Sequence, residues 1–202
     1  MQFSSTVGPM SIDNRDLISS FEDYFERVNL LIESIQKFEV VNVLNEIKKI
    51  KSSGGKVLVI GNGGSAALAS HFATDLGTGS ILRGVDYPII SLVDNVSVIT
   101  AAANDYGYDE IFARQLVNIG KSGDLLMIIS SSGNSKNLIE ASKVAREIGM
   151  KIIGIVGFDG GEIGRISDLK IHVQSKVGEY GQVEDLHSII LHSIALNLRA
   201  GN

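Results

Sequence analysis

Gly61-Asn62-Gly63-Gly64-Ser65 and Ser130-Ser131-Ser132-Gly133-Asn134-Ser135 each follow an apolar run and open a helical pattern. Glycine lets a backbone come close to a ligand, and a helix start offers unpaired N–H groups to an anion. The second loop adds four hydroxyls, which donate hydrogen bonds to phosphate oxygens, and the helix dipole favours the negative charge. The plainer reading of such a loop is a helix cap with spare serines. A cap uses one hydroxyl, however, and this run supplies four beside a second glycine-rich loop. The pair is therefore read as a phosphate site. Gly61 does not begin a Walker loop, because no Gly-Lys-Ser/Thr follows. The dinucleotide fingerprint GxGxxG is absent too, and no acidic residue ends the next strand.

A third constellation is ionisable. His71 and Asp75 stand four apart on the helical pattern after the first glycine loop and share a face. The last helical pattern carries Glu184, Asp185, His187 and His192. At about 100° per residue, His187 lies roughly 60° to one side of Glu184 and His192 roughly 80° to the other. Glu184 can thus join either histidine in one pocket, while the two histidines diverge. Any one of these histidines alone reads as a core or interface residue. Together with the carboxylates they form a candidate acid–base or metal site. His172, in a short late strand, is read as structural.

These groups need elements to hold them. Leu17, Phe21, Phe25, Val28, Leu31 and Ile32 recur at helical steps and predict a helix from Ile12 to about Gln36, with Asp13 or Asn14 as its cap. Val40, Val41, Val43, Leu44, Ile47 and Ile50 predict a second helix ending at Ser52-Ser53-Gly54-Gly55. The apolar faces of both need a partner, either the domain behind them or another subunit. Five apolar runs follow, at 57–60, 88–93, 125–129, 152–156 and 169–173. Runs without alternation suggest strands covered on both faces, as in a parallel sheet. Helical patterns separate them at 65–76, 96–104 with 109–119, and 135–148, and a last helix spans about 180–199. Strands alternating with helices predict a doubly wound α/β fold. There is no internal repeat, linker or low-complexity segment, so residues 1–202 read as one domain: a tail and helices over 1–54, and an α/β core with a C-terminal helix over 55–202.

The composition narrows the chemistry. With no cysteine, disulfides, thiolate metal sites and cysteine nucleophiles are excluded, and histidines and carboxylates are the remaining metal ligands. The net charge of −5 argues against a broad nucleic-acid surface. Lys48, Lys49, Lys51 and Lys56 read as a solvated helix end. Mean hydropathy is +0.19, yet no uncharged apolar run reaches the roughly 18 residues of a membrane span. Met1 to Asp13 has no basic start and no apolar stretch, which points to a cytoplasmic protein without a secretory signal.

Several motifs occur in order: Val59-Ile60-Gly61-Asn62-Gly63-Gly64-Ser65, His71-Phe72-Ala73, Ala103-Asn104-Asp105-Tyr106-Gly107-Tyr108, the serine loop 130–135, and Glu184-Asp185-Leu186-His187 with His192. Together they resemble the phosphoheptose isomerase branch of the sugar isomerase (SIS) domain proteins, over nearly the whole chain. The resemblance implies a five-stranded parallel sheet of flavodoxin-like winding and a homotetramer whose helices pack together. It also implies aldose–ketose isomerisation of sedoheptulose 7-phosphate to D-glycero-D-manno-heptose 7-phosphate through an enediol. On matching positions, Ser65, Ser130, Ser131, Ser132 and Ser135 hold the phosphate, with Gly63, Gly64 and Glu184 part of the substrate site. Asn62 and Asp94 hold sugar hydroxyls, and Asp75 and His192 transfer protons. Relatives with zinc place ligands at the positions of His71, Asp75, Glu184 and His192, so Zn²⁺ is the implied cofactor.

The sequence departs from that pattern in three places. The family usually has Glu at position 75 and Gln at position 184, where this chain has Asp75 and Glu184. Asp75 is one methylene shorter and Glu184 adds a charge; with His71 and His192 they make a charge-neutral set for Zn²⁺. The basic residue usual a few residues past position 75 is missing from Thr78-Gly79-Ser80, leaving Arg83 as the candidate replacement. These differences bear on the choice of sugar more than on the reaction. The rival readings are an isomerase for another ketose phosphate and a non-catalytic SIS protein that binds sugar phosphate or accompanies replication. Clustered titratable groups favour an enzyme over the second.

Overall fold

The computed structural model describes residues 14–81 and 87–201. The N-terminal tail, the Asp13 cap and Arg83 lie outside the described residues. Two helices lead, α1 (Asn14–Ser34) and α2 (Lys37–Ser52). The second closes at Ser53, and Gly54 follows with φ +77°, the left-handed conformation that glycine takes without strain.

Five strands then alternate with helices. They are β1 (Val57–Gly61), β2 (Ile89–Ser91), β3 (Leu125–Ser130), β4 (Lys151–Val156) and β5 (Leu169–His172). All pair in parallel, in the order β2-β1-β3-β4-β5. The helices between and after them are α3 (Gly64–Ile81), α4 (Val96–Tyr106), α5 (Ala113–Ile119), α6 (Lys136–Ile148), α7 (Gly161–Ile166) and α8 (Tyr180–Ala200). The predicted helix at 109–119 is divided: a 3₁₀ turn at Tyr108–Glu110 precedes α5. The predicted strand at 88–93 shortens to three residues because the chain turns at Leu92 and Val93. Sequence periodicity gave no sign of α7, which is too short to show one.

The apolar strand runs are explained by two cores. Val57, Val59, Leu125, Met127 and Ile129 face one side of the sheet and pack with Val43, Ile47, Phe72, Leu76, Leu186 and Ile194. Leu58, Ile60, Leu126 and Ile128 face the other and meet Phe112, Leu116, Leu138 and Ala141. Successive strand side chains point to opposite faces, so burial on both sides demands apolar residues at every position.

This strand order reverses between β1 and β3, where Gly61 lies beside Ile129. A crevice opens past the carboxyl ends of the strands at such a reversal, and ligands of open α/β sheets bind there. Both chemistry-bearing loops leave the sheet at that point. No helix among the described residues is long and apolar enough to cross a membrane.

Candidate active site

The two loops line one cavity of about 160 Å³, formed by Asn62, Ser65, Ile129, Ser130, Ser131, Ser132, Ser135, Tyr180 and Glu184. Its hydroxyls are set up to donate. Ser130 Oγ accepts from the Gly133 amide at 3.0 Å and Ser132 Oγ from the Asn134 amide at 3.3 Å. Each keeps its own O–H proton for a ligand. Ser131 Oγ is buried with no hydrogen-bond partner, and Ser135 stands at the start of α6 without its side chain capping the helix. The loop is therefore more than a cap: the Ser131 and Ser135 hydroxyls are not used in capping α6.

Glycines here serve close packing as well as access. A Cβ on Gly64 would stand 2.2 Å from Glu184 Oε2, and one on Gly133, at φ +64°, 2.2 Å from the Gly160 carbonyl. The approach of the serine loop to the β4–α7 turn thus requires glycine at position 133, whereas at Gly64 the neighbour is the movable end of the Glu184 side chain. Gly63, exposed at the rim, has open space around it.

Asn62 is held rather than free. Its amide exchanges hydrogen bonds with Asn137 at 2.9 and 2.8 Å, and Tyr108 OH donates to its Oδ1 at 3.0 Å. Asn137 is buried in the first turn of α6. Asp94 lies exposed outside this cavity and accepts a hydrogen bond from Ser70 on α3.

The ionisable groups meet where α3 and α8 pack together. Gly64 lies against Glu184, His71 against His192 and Asp75 against Arg199, so the two helices run side by side in the same direction. His71 Nε2 and His192 Nε2 are 3.2 Å apart. A hydrogen bond between them requires one ring to carry its proton on Nε2. Asp75 Oδ2 sits 3.7 Å from His71 Nε2 and 3.8 Å from His192 Nε2. That oxygen is buried and has no hydrogen-bond partner, whereas Oδ1 takes Arg199 Nη2 at 3.0 Å. Both rings are about half open, at 54% and 46% of the side chain, so a ligand can reach them.

Could this trio hold a metal? One donor atom from each of His71, Asp75 and His192 lies within 4.8 Å of the others. Ligands about 2.0–2.1 Å from a tetrahedral Zn²⁺ are roughly 3.3 Å from one another, close to the separations found. The orphaned Oδ2 and an adjoining gap of about 10 Å³ fit a single small ion or water. Glu184 is outside this group and belongs to the hydroxyl-lined cavity. Burial, then the neighbouring Asp185, raises its carboxyl above the usual range.

His187 turns away into the core. It is wholly buried, and desolvation holds its pKa at about 4, so the ring stays neutral. His172, read as structural, binds the Phe158 carbonyl through Nε2 at 3.0 Å.

The sequence did not expose the contacts that brace the site. Arg27 on α1 grips Glu179 with two hydrogen bonds of 2.7 and 2.8 Å, and Tyr24 OH donates to Asp185 at 2.6 Å. Burial and Asp185 push the Tyr24 phenol up to about 12. These links tie α1 to the first turns of α8, which carry Glu184. They join residues about 150 positions apart, and no local pattern announces them. Asn137 and Arg199 are likewise visible only once the chain is folded.

Comparison with known proteins identifies the relatives of this chain. The SIS domain family model matches residues 23–157. The phosphoheptose isomerase of Helicobacter pylori strain HPAG1 is 39% identical over 178 residues, covering 88% of this chain and 91% of the relative. That of Aliarcobacter butzleri is 40% identical over 185 residues, covering 88% and 93%. Among solved structures, phosphoheptose isomerase GmhA from Neisseria gonorrhoeae superposes with a TM-score of 0.81 at 31% identity, over 92% of this chain and 98% of that one.

Proposed function

The chain belongs to the SIS-domain family, and we propose that it is a phosphoheptose isomerase, interconverting sedoheptulose 7-phosphate and D-glycero-D-manno-heptose 7-phosphate. One observation carries the reading: the packed pair α3 and α8 contributes both to a hydroxyl-lined pocket, through Ser65 and Glu184, and to an Asp–His cluster, through His71, Asp75 and His192. Gly64 and His71 are seven residues apart on α3, about 10 Å along the helix axis. That spacing suits a long sugar phosphate anchored at one end and reacting at the other.

Ser65, Ser130, Ser131, Ser132 and Ser135 bind the phosphate, a remote handle whose binding energy positions the reacting end. Asn62, fixed by Asn137 and Tyr108, meets a sugar hydroxyl, and Asp94 serves the rim of the site. Asp75 and His192 then share the proton transfers. One removes a proton from C1 of the ketose to give the cis-enediol, a proton passes between the two oxygens, and C2 is reprotonated to give the aldose. Atoms and electrons balance within the sugar, so no redox partner is needed. His71, Asp75 and His192 would hold Zn²⁺, which when bound supplies Lewis-acid stabilisation of the enediolate oxygens.

We read residues 1–202 as one domain working in a homotetramer. Ile18, Phe21 and Phe25 on α1 and Phe38 and Val41 on α2 are exposed apolar residues, and a groove of about 480 Å³ runs between α2 and α8. Exposed apolar side chains on both leading helices support assembly through them. A cytoplasmic setting accords with a phosphorylated, membrane-impermeant substrate.

The test is incubation with sedoheptulose 7-phosphate followed by NMR. An aldose product is expected from the unaltered protein and none from His192→Ala. Unchanged turnover in that variant removes His192 from the chemistry. Sugar-phosphate binding without any turnover places the chain with a non-catalytic role.

A further inference from the structure

Asp75 meets a cation from the far end of the chain. No basic residue occupies Thr78-Gly79-Ser80. Instead Arg199, in the last turn of α8, places Nη2 3.0 Å from Asp75 Oδ1. Both side chains are shielded, at 18% and 19% exposed. The terminal torsion of an aspartate is a broad, soft rotor, so fixing one oxygen fixes the direction of the other. Here the other is Oδ2, buried, unpartnered and facing both imidazole Nε2 atoms.

We propose that Arg199 is a positioning residue of the active site: by holding Oδ1 of Asp75 it turns Oδ2 toward His71 and His192. This rests on the isomerase reading for its kinetic consequence, though not for its geometric one. Aspartate reaches one methylene less far than glutamate, so its carboxylate is more easily drawn off line by a misplaced partner. An arginine on the neighbouring helix spans the gap and meets Oδ1 through one guanidinium nitrogen, while its Nε turns to the Ala195 carbonyl. Arg199 does not touch the reacting carbons, and its effect passes through Asp75. A purely structural role is the alternative: a cation near a helix C-terminus is stabilising there, and Arg199 Nε also reaches the Ala195 carbonyl at 3.4 Å.

The experiment compares Arg199→Ala and Arg199→Lys with the unaltered protein in two readouts. In sedoheptulose 7-phosphate kinetics, Arg199→Ala should lower kcat roughly 10- to 100-fold with KM little changed, and Arg199→Lys should recover part of it. In ¹H–¹⁵N spectra of the histidine rings, Arg199→Ala should move the His71 and His192 signals and leave those of His172 and His187 in place. Unmoved ring signals overturn the proposal, as does a loss of activity that only tracks the fraction of unfolded protein. If the unaltered protein fails to turn the sugar over, the isomerase reading falls alone, and the ring spectra still decide the role of Arg199.

Discussion

The hydroxyl-lined pocket and the Asp–His cluster both draw on α3 and α8 but are built by opposite means. The pocket is made by loops at adjacent strand ends, and one six-residue stretch supplies four of its hydroxyls. Backbone amides hold two of those hydroxyls, Ser130 and Ser132, so much of the pocket is fixed within the loop itself. The cluster has no backbone component. His71 and Asp75 come from α3, and His192 and Arg199 from α8, more than a hundred residues away. Its geometry depends on how two helices pack. A loop that binds a remote phosphate tolerates small shifts, whereas proton transfer needs heavy atoms within hydrogen-bond reach of the reacting carbons. The less locally determined region thus carries the stricter demand, and the Arg199–Asp75 pair supplies extra constraint there.

If the division of labour is right, damage to the cluster appears in kcat and damage to the pocket in KM. The largest effect is expected for Asp75→Asn. It removes a proton acceptor and the charge that Arg199 holds, so kcat should fall by roughly 10² to 10⁴. KM should stay within a few-fold, because no pocket donor has changed. Steady-state kinetics on sedoheptulose 7-phosphate measure both. A parallel rise in KM would mean that the two regions are not separable.

Ser131→Ala comes next. It deletes a buried hydroxyl that has no protein partner. A hydrogen bond to a charged group contributes about 1.5–3 kcal/mol, so KM should rise roughly 10- to 100-fold. The kcat at saturation should change much less. The reverse pattern, kcat lost and KM kept, would give the serine loop a chemical rather than an anchoring role.

The same contrast explains what could be read before folding. The pocket was legible because its residues are contiguous and because parallel strands declare themselves as apolar runs. The parallel sheet and its five strands followed from the same signal. Helix periodicity placed His71 beside Asp75, one turn apart. It says less about Glu184 and His192, because the angle about the axis is only part of their separation. Eight residues also separate them by about 12 Å along the helix, and the structure accordingly leaves Glu184 beside Gly64 and His192 beside His71. Arg199, Asn137, Arg27 and Tyr24 gave no sequence signal, since each is defined by a partner that only tertiary packing supplies. α7 was missed because six residues make less than two turns and show no period.

Glu184→Gln tests the boundary between the two regions, with the smallest expected effect. The carboxyl lies in the pocket, and burial first, then Asp185, holds its pKa above the ordinary range. Its neutral, protonated form therefore persists to higher pH than that of an exposed glutamate. As pH rises past this point a negative charge appears beside the bound phosphate, which takes its own second charge near pH 6. The KM of the unaltered protein should rise with pH through that window. Glu184→Gln keeps the shape, removes the charge and should flatten the profile, lowering KM at neutral pH by roughly 3- to 10-fold. The kcat should hold, because the trio of His71, Asp75 and His192 is untouched. If the variant instead loses kcat together with bound zinc, measured by metal analysis on protein prepared without chelators, Glu184 belongs with the cluster. The separation drawn between pocket and cluster would then have to be redrawn around α8.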